Sequence, residues 1–255
     1  MTAVPQAMTA WVPLGFPDIR PGADLGATVL EVLARNDLRP QPGDVLVLAQ
    51  KVVSKAEGAV VQLAEVTPTA RAEQLAREAE KDPRLCQVIL AESRQILRIR
   101  PGLIIAEHRL GFICANAGVD FSNVGLGTDW VTLLPRDPDQ SASRLRERIA
   151  QAHGVEVAVI INDTHGRPWR EGAVGVAIGI AGLEPIYSYI GQEDRYGYVL
   201  HSSIESVADE LAAAASLLQG QAAEGTPLVV IRGARFTPGG GRTRLLREPE
   251  RDMFR

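Results

Sequence analysis

The sequence predicts an α+β fold in which mixed sheets are flanked by helices. Short apolar runs rich in β-branched residues predict strands, and amphipathic stretches between them predict helices. The two kinds of segment do not alternate regularly enough for a doubly wound sheet. No GxGxxG follows a strand and no GxxxxGK[ST] occurs, so neither a Rossmann domain nor a P-loop domain is expected.

Length and composition favour a soluble globular chain. It has 255 residues, 45% of them hydrophobic and 23% charged, with a net charge of −4. This slightly acidic balance does not predict a nucleic-acid-binding surface. The chain has no apolar run of about 18 residues, so no membrane span is expected. The first ten residues lack Lys, Arg and a long apolar block, so we expect no secretory signal.

Cysteine and histidine usage excludes several kinds of site. Cys86 and Cys114 are too few for a disulfide scaffold or a cysteine zinc cluster, and we interpret them as buried apolar residues in a reducing cytoplasm. The four histidines show neither HxxxH nor HExxH spacing, so a histidine-rich metal site is not expected.

Four strands and four helices are predicted in chain order. The apolar runs at 44–49, 103–106, 157–161 and 228–231 predict strands. Residues 68–80 predict a helix, with Thr67 as its N-cap and Pro68 in its first turn. Two further helices are expected at 141–152, with Gly154 just past the end, and at 204–218.

The second predicted helix in chain order begins at Asp82-Pro83, where the start signal seen at Thr67-Pro68 is repeated. One face of it would carry Leu85, Val88, Ile89, Glu92 and Ile96. Glu92 is unusual on an apolar face, and is either a carboxylate at the edge of the stripe or a buried functional group.

Segment 50–58 follows the first long strand with Gln50, Lys51 and Lys55. The ends of strands are where ligands usually bind in open sheets, and paired lysines can hold a phosphate. The alternative is a solvated lysine pair, which is common on loops.

Segment 114–125 places four oxygen-bearing side chains close together: Asn116, Asp120, Ser122 and Asn123. Such ligands suit Mg²⁺ or Mn²⁺. An Asx-rich turn that satisfies its own backbone explains the pattern equally well.

Segment 160–172 runs from an apolar strand directly into Asp163-Thr164, where a carboxylate is well placed to bind a divalent ion. Arg167 and Arg170 add forked donors for phosphate or carboxylate. Trp169 could stack on a planar ring, although a core anchor is the favoured interpretation. We interpret His165 as a surface residue.

Several loops and one apolar segment have open interpretations. Residues 219–226 could wrap a nucleotide or simply connect a helix to a strand. Residues 236–242, with three consecutive glycines, could approach a ligand or form a flexible connection. The apolar stretch 174–182 would be either a dimer contact or a buried internal strand.

Taken together, these segments resemble the coenzyme F420-0:L-glutamate ligases. The resemblance runs from Gly15 to the end of the chain, through GFPDIRPGADL, AQKVVSKAEG, CANAGVDFSNVG, INDTHGRPWREGAVGVAIGIAGL, LLQGQAAEGTPLVVIRG and LLREPERDMFR. Some family members are fused to a flavin-binding, nitroreductase-like domain. The chain ends where that domain would begin, so we expect the stand-alone form.

The resemblance implies a cytoplasmic ligase that forms GDP. The terminal carboxylate of F420-0 would attack the γ-phosphoryl group of GTP, and L-glutamate would then displace phosphate from the resulting acyl phosphate. Later glutamates would join through γ-linkages. The resemblance also implies a homodimer, and one unit over residues 1–255 built from two intertwined subdomains.

The resemblance also assigns roles to individual residues. Two divalent cations, Mn²⁺ or Mg²⁺, would be held by Asp120 and Asp163 and by Thr164 and Gln221, with K⁺ as a further activator. GTP would be bound by Phe16, Pro17, Asp18, Ile19, Gln50, Lys55, Asn123, Gln219, Gly220, Gln221, Ala222, Ala223, Glu224, Gly225 and Thr226. Lys55, Arg167 and Arg170 are the expected catalytic residues, the arginines neutralising the transferred phosphoryl group or holding a substrate carboxylate.

Two other functions are compatible with the same residues. A metal-dependent nucleotide hydrolase or kinase could use the same Asp, Lys and Arg set. A non-catalytic module that binds a nucleotide or a deazaflavin is the other alternative, although the presence of both Asp120 and Asp163 argues against it.

Overall fold

The computed structural model describes residues 7–253. Most of the N-terminal segment in which no secretory signal is expected, and the last two residues of the matching tail, lie outside this range. The expected α+β class is confirmed, since helices and four separate sheets occur in the described range. No helix in residues 7–253 has the length and apolar character needed to cross a membrane.

Twelve strands and six α-helices form the described part of the chain. The strands are β1 (Thr9–Trp11), β2 (Val45–Ala49), β3 (Val60–Gln62), β4 (Ser93–Arg100), β5 (Leu103–His108), β6 (Ile113–Ala115), β7 (Trp130–Thr132), β8 (Ala158–Arg167), β9 (Arg170–Ala181), β10 (Tyr187–Ser188), β11 (Ile204–Glu205) and β12 (Leu228–Arg232). The helices are α1 (Leu25–Arg35), α2 (Gln50–Ala56), α3 (Ala70–Ala79), α4 (Pro83–Glu92), α5 (Pro138–His153) and α6 (Val207–Gln219).

The largest sheet has the order β1-β12-β2-β8-β9, and within it only β2 and β8 are parallel. Side chains of β2 alternate between two cores. Leu46 and Leu48 pack on the side of α1 and α5, and Val45 and Val47 pack on the side of α6. Because both faces are covered, the strand is apolar throughout rather than alternating.

A third core lies between α3, α4 and the sheets β4-β5-β6 and β3-β7. Leu75 and Ile89 contribute from the helices, and Ile104 and Val131 from the strands. Cys86 is buried in this core and Cys114 is also buried; both are free, as expected. The division of the chain into two intertwined subdomains stays a prediction.

The starts of three helices differ from the prediction. Helix α5 begins at Pro138 rather than at residue 141, because Asp137 is its N-cap and accepts a hydrogen bond from the Gln140 amide. Helix α3 begins at Ala70, because Thr69 rather than Thr67 is its N-cap and accepts a hydrogen bond from the Ala72 amide. Helix α6 begins at Val207, because Glu205 pairs with Tyr187 in the β10-β11 sheet. The predicted start at residue 204 was therefore wrong.

Helix α4 is shorter than its apolar stripe suggested. Its backbone becomes extended at Ser93, and Ile96 lies in β4 opposite Ala106 rather than on the helix. Glu92, the last residue of α4, is largely buried and bound by His108 and Arg109. Burial raises the pKa of Glu92, but the hydrogen bonds and charges of these two partners outweigh it, so the pKa lies below its ordinary value.

The segment 174–182 is a buried strand over most of its length. Residues 177–181 of β9 are buried against α5 and α6. Of the two interpretations, a dimer contact and a buried internal strand, this favours the internal strand. The glycine-rich segment 236–242 packs beside this strand, where Arg242 pairs with Asp139 at 2.7 Å. It therefore contacts the body of the protein.

Candidate functional site

A cavity of about 650 Å³ lies at the carboxyl ends of the parallel strands β2 and β8. The register places Ala49, the last residue of β2, opposite Asn162, and β8 continues past this edge paired with β9. Strand β2 continues directly into α2, while β8 presents Asp163 and Thr164. This is the edge at which open sheets usually bind ligands.

Segments distant in sequence meet around the cavity. Its lining contains every residue of the two predicted nucleotide-binding loops and every predicted metal ligand. It also contains the predicted GTP-binding residues on α2 and on the loop after β6. The lining residues are Phe16, Pro17, Asp18, Ile19, Ala49, Gln50, Lys51, Val52, Lys55, Asp120, Ser122, Asn123, Asn162, Asp163, Thr164, Ala173, Gln219, Gly220, Gln221, Ala222, Ala223, Glu224, Gly225, Thr226 and Pro227.

Helix α2 brings two lysines to the cavity, one helical turn apart. The Lys51 ammonium lies 2.7 Å from Asp120 Oδ2 and also contacts the Ser122 hydroxyl. Lys55, only 8% exposed, donates to the Asn123 carbonyl at 3.4 Å. The solvated-lysine alternative therefore does not describe this helix.

Asp120 is held as a carboxylate by these contacts. Burial raises the pKa of Asp120, but hydrogen bonds from Lys51 and from the amide and hydroxyl of Ser122 outweigh it. The pKa therefore lies below its ordinary value, and the group carries a negative charge at neutral pH.

Asp163 has a partner that the sequence analysis missed. His165 Nε2 lies 3.0 Å from Asp163 Oδ2, and the side chain of His165 is only 13% exposed. The imidazole also contacts the edge of Phe112. The interpretation of His165 as a surface residue was therefore wrong, since the ring supports a carboxylate of the cavity.

Hydrogen bonds join the 219–226 loop to the other walls. Gln221 Nε2 donates to the Thr164 hydroxyl at 3.2 Å, and Asn123 Nδ2 donates to the Ala222 carbonyl at 2.9 Å. These bonds connect one predicted metal-ligand pair and one predicted GTP-binding pair, so the structure brings both pairs together.

A buried amide pair fixes the base of this loop. Asn162 Nδ2 donates to Gln219 Oε1 at 2.7 Å, and Gln219 Nε2 donates to the carbonyls of Val47 and Pro227. Asn162 is 4% exposed, and its Oδ1 has no hydrogen-bond partner in the described structure. Asn162 was not among the predicted site residues, although it directly precedes Asp163.

Arg167 and Arg170 are not brought into the cavity. They face each other at the end of the β8-β9 ribbon, where Arg167 donates to the Glu171 carbonyl at 3.2 Å. Trp169 lies at the turn between them and is 88% exposed. It is therefore not a core anchor.

The donor set fits hard cations. Asp120 and Asp163 offer carboxylates, and Thr164 and Gln221 offer hydroxyl and amide oxygens. The Lys51 ammonium at Asp120 shows that this position attracts positive charge. Within residues 7–253 no three His, Cys, Asp or Glu side chains cluster in a way suited to a metal. A cation here would therefore need hydroxyl, amide or phosphate oxygens besides the two carboxylates.

Comparison with known proteins identifies the family. The sequence profile of the F420-0:Gamma-glutamyl ligase family matches residues 13–233. The chain is 47% identical over 244 residues to the coenzyme F420:L-glutamate ligase of Methanothermobacter thermautotrophicus, covering 94% of this chain and 96% of the relative. The ligase of the same name from Archaeoglobus fulgidus is 42% identical over 241 residues, covering 94% of each chain. The resemblance found in the motifs is thus confirmed, and the chain belongs to the F420-0:gamma-glutamyl ligase family.

Proposed function

We propose that this protein is a GTP-dependent ligase that joins L-glutamate to coenzyme F420-0 and then adds further glutamates through γ-linkages. The observation that carries the proposal is the cavity, where two aspartates, two lysines and two loops meet at the ends of parallel strands. Membership in a family named for this reaction supports the identity of the substrates.

In the first step a carboxylate oxygen of F420-0 attacks the γ-phosphorus of GTP. The new P–O bond replaces the bond between the γ-phosphorus and the bridging oxygen, and GDP leaves with that electron pair. The product is an acyl phosphate, in which a poor leaving group has become a good one. This chemistry needs positioning and positive charge, and no covalent nucleophile from the protein.

In the second step the amine of L-glutamate attacks the acyl carbon. The amide C–N bond forms, the C–O bond to phosphate breaks, and the amine loses a proton to solvent. Excluding other nucleophiles at this stage matters, because water would hydrolyse the acyl phosphate.

Some residues of the cavity would supply charge to the phosphates, and others would position GTP and the cations. Lys51 and Lys55 place ammonium groups where the phosphates would lie, and the Phe16–Ile19 and 219–226 loops, with Gln50 and Asn123, would bind the rest of GTP. Asp120 and Asp163 would hold one divalent cation, and Thr164 and Gln221 a second. Bound Mn²⁺ or Mg²⁺ would neutralise phosphate charge. We also propose K⁺ as an activator.

We further propose that the protein acts as a homodimer in the cytoplasm. Segment 187–204 exposes several large apolar side chains, among them Ile190 and Tyr198, and this favours burial against a second copy. Two free, buried cysteines are consistent with a reducing compartment. Sedimentation velocity measures the oligomeric state directly.

The decisive experiment incubates purified protein with F420-0, L-glutamate, GTP and Mn²⁺, followed by mass spectrometry of the deazaflavin and assay of released phosphate. We expect mass increments of whole glutamyl units, with one phosphate released for each. GTP hydrolysis without an increment would favour a hydrolase or kinase. GTP binding without either product would favour a non-catalytic module.

A further inference from the structure

The paired strands β8 and β9 line the cavity and extend beyond it. Thr164 lies on the wall, and Ala173, which pairs with Gly166, also lines the cavity. Beyond this pair lie residues 167–172, which comprise the Arg167–Arg170 pair, the turn between its members, and Glu171 and Gly172. The end of the ribbon therefore borders the cavity mouth.

The turn at this end carries a tryptophan that is both exposed and held in an unfavourable backbone conformation. Trp169 is 88% exposed and has a φ of +63°, in the left-handed region that is costly for a residue with a bulky side chain. The turn thus combines a strained backbone with a large apolar surface in water. Strained residues of this kind concentrate at ligand-binding sites.

The charges around the ring favour an anion. Arg167 and Arg170 flank the turn, and Glu171 is the one acidic residue between Gly166 and Gly172. Arg167 braces the turn through the Glu171 carbonyl, whereas Arg170 is exposed beside Trp169. An indole next to an exposed guanidinium suits a ligand that carries a planar ring and a phosphate.

The spacing matches an elongated acceptor. A strand rises about 3.3 Å per residue, so the turn lies roughly 10 to 15 Å from Thr164. The acceptor of the proposed reaction has a deazaflavin ring at one end, a carboxylate at the other and a phosphate between them. With the carboxylate at the nucleotide in the cavity, the ring must lie outside it, near the mouth.

We infer that the end of the β8-β9 ribbon is the docking site for the acceptor, with Trp169 stacking on the deazaflavin ring and Arg170 binding the phosphate of its side chain. This inference rests on the proposed function and deepens it. It gives Arg170 a role in acceptor binding at the rim, rather than in phosphoryl transfer within the cavity.

The test measures F420-0 binding directly, in the absence of GTP and glutamate, by calorimetry and by quenching of tryptophan fluorescence. Trp169→Ala should raise the Kd for F420-0 by about 5- to 100-fold, the range expected for loss of one stacking partner. Trp169→Phe keeps a ring and should restore most of the affinity. Arg170→Gln should also weaken binding, while the KM for GTP stays unchanged in all three variants.

Leu217→Ala is the matched control, because Leu217 is also a large apolar side chain, is 86% exposed, and lies on α6 outside both the cavity lining and the proposed dimer surface. It should leave the Kd for F420-0 unchanged. If wild-type protein ligates glutamate but Trp169→Ala binds F420-0 normally, the docking site is overturned and the proposed function stands. If Trp169→Ala changes the oligomeric state but keeps a normal Kd for F420-0, the docking site is also overturned, and the end of the ribbon is instead a contact between subunits. If wild-type protein neither binds nor glutamylates F420-0, both proposals fail.

Discussion

Lys51 and Asp120 form an ion pair across the cavity, with 2.7 Å between Nζ and Oδ2, that joins α2 to the loop after β6. Both side chains are partly exposed, at 22% and 46%, so the pair contributes little to stability. Its main effect is to hold opposite charges at the place where phosphates and a cation are proposed to bind.

Replacing Lys51 by Met removes the charge and keeps most of the side-chain volume. We expect kcat/KM for GTP to fall by about 10- to 100-fold, because a charged donor to phosphate is lost. The free energy of unfolding should change by less than about 1 kcal/mol. Lys81→Met, outside the cavity lining, is the control and should leave both quantities unchanged. Equal kinetics in the two variants would remove Lys51 from the site.

Asp163→Asn should abolish ligation and leave the fold intact, because an amide cannot supply the negative charge that a divalent cation requires. Product formation is followed by mass spectrometry, and folding by circular dichroism during thermal unfolding. Asp37→Asn is a suitable control, since Asp37 is exposed and its φ of +52° is one that Asn tolerates. Normal turnover by Asp163→Asn would exclude this carboxylate from a metal site.

Removal of divalent cations should abolish activity. We expect no glutamylated product in EDTA and full recovery on addition of excess Mn²⁺ or Mg²⁺. Electron paramagnetic resonance of added Mn²⁺ gives an independent measure of binding, which should be weakened in Asp163→Asn. Undiminished activity in metal-free buffer would contradict the two-cation proposal.

Glu92 should make stability depend on pH. Its native pKa lies below the ordinary value of 4.5, so the unfolded chain takes up this proton more readily than the native protein. The stabilisation is therefore complete above pH 4.5 and is lost as the pH falls through the lower native pKa.

Glu92→Gln should therefore cost about 3 kcal/mol at neutral pH, because it leaves His108 and Arg109 without their shared anion. The cost should shrink at more acidic pH. Urea unfolding at several pH values measures both effects. Glu31→Gln, at an exposed pair with Arg35, provides the comparison and should have almost no effect at any pH.

Gly179 allows β9 to pack closely against the start of α5. A Cβ at this position would lie 2.4 Å from the Pro138 carbonyl oxygen, a backbone atom that cannot move alone. We expect Gly179→Ala to destabilise the protein by about 1–3 kcal/mol. Gly166→Ala on the paired strand meets no atom within 4 Å and should be nearly neutral in the same unfolding experiment.

Local signals in the sequence predicted much of the site. The apolar runs before Gln50 and before Asp163 located two strands, and the polar residues at their ends did meet at one edge of the sheet. These predictions succeeded because the end of a strand and the composition of the following loop can be recognised in a short stretch of sequence. Arg167 and Arg170 were grouped with these residues only by closeness in sequence, and the ribbon carries them past the cavity.

The errors have specific physical causes. Strand β8 continues to Arg167 through Asp163 and Gly166, residue types with low β propensity, because pairing with β9 compensates for them. A strand extended this far would have placed Asp163 and His165 on one face. Ile96 continued the helical period of α4 by coincidence, and its true environment is set by β5, a strand later in the sequence.

The cavity is closed by parts of the chain that are far apart in sequence. Gln219 donates to the Val47 carbonyl, 172 residues away, and the Phe16–Ile19 loop also lines the cavity. Contacts of such long range form late in folding, after the entropy of closing large loops has been lost. A partly folded chain would therefore lack the proposed nucleotide site. A ligand bound there stabilises only the folded protein, so it should slow opening of the whole central sheet. Changes that lower the stability of the sheet should therefore also weaken ligand binding.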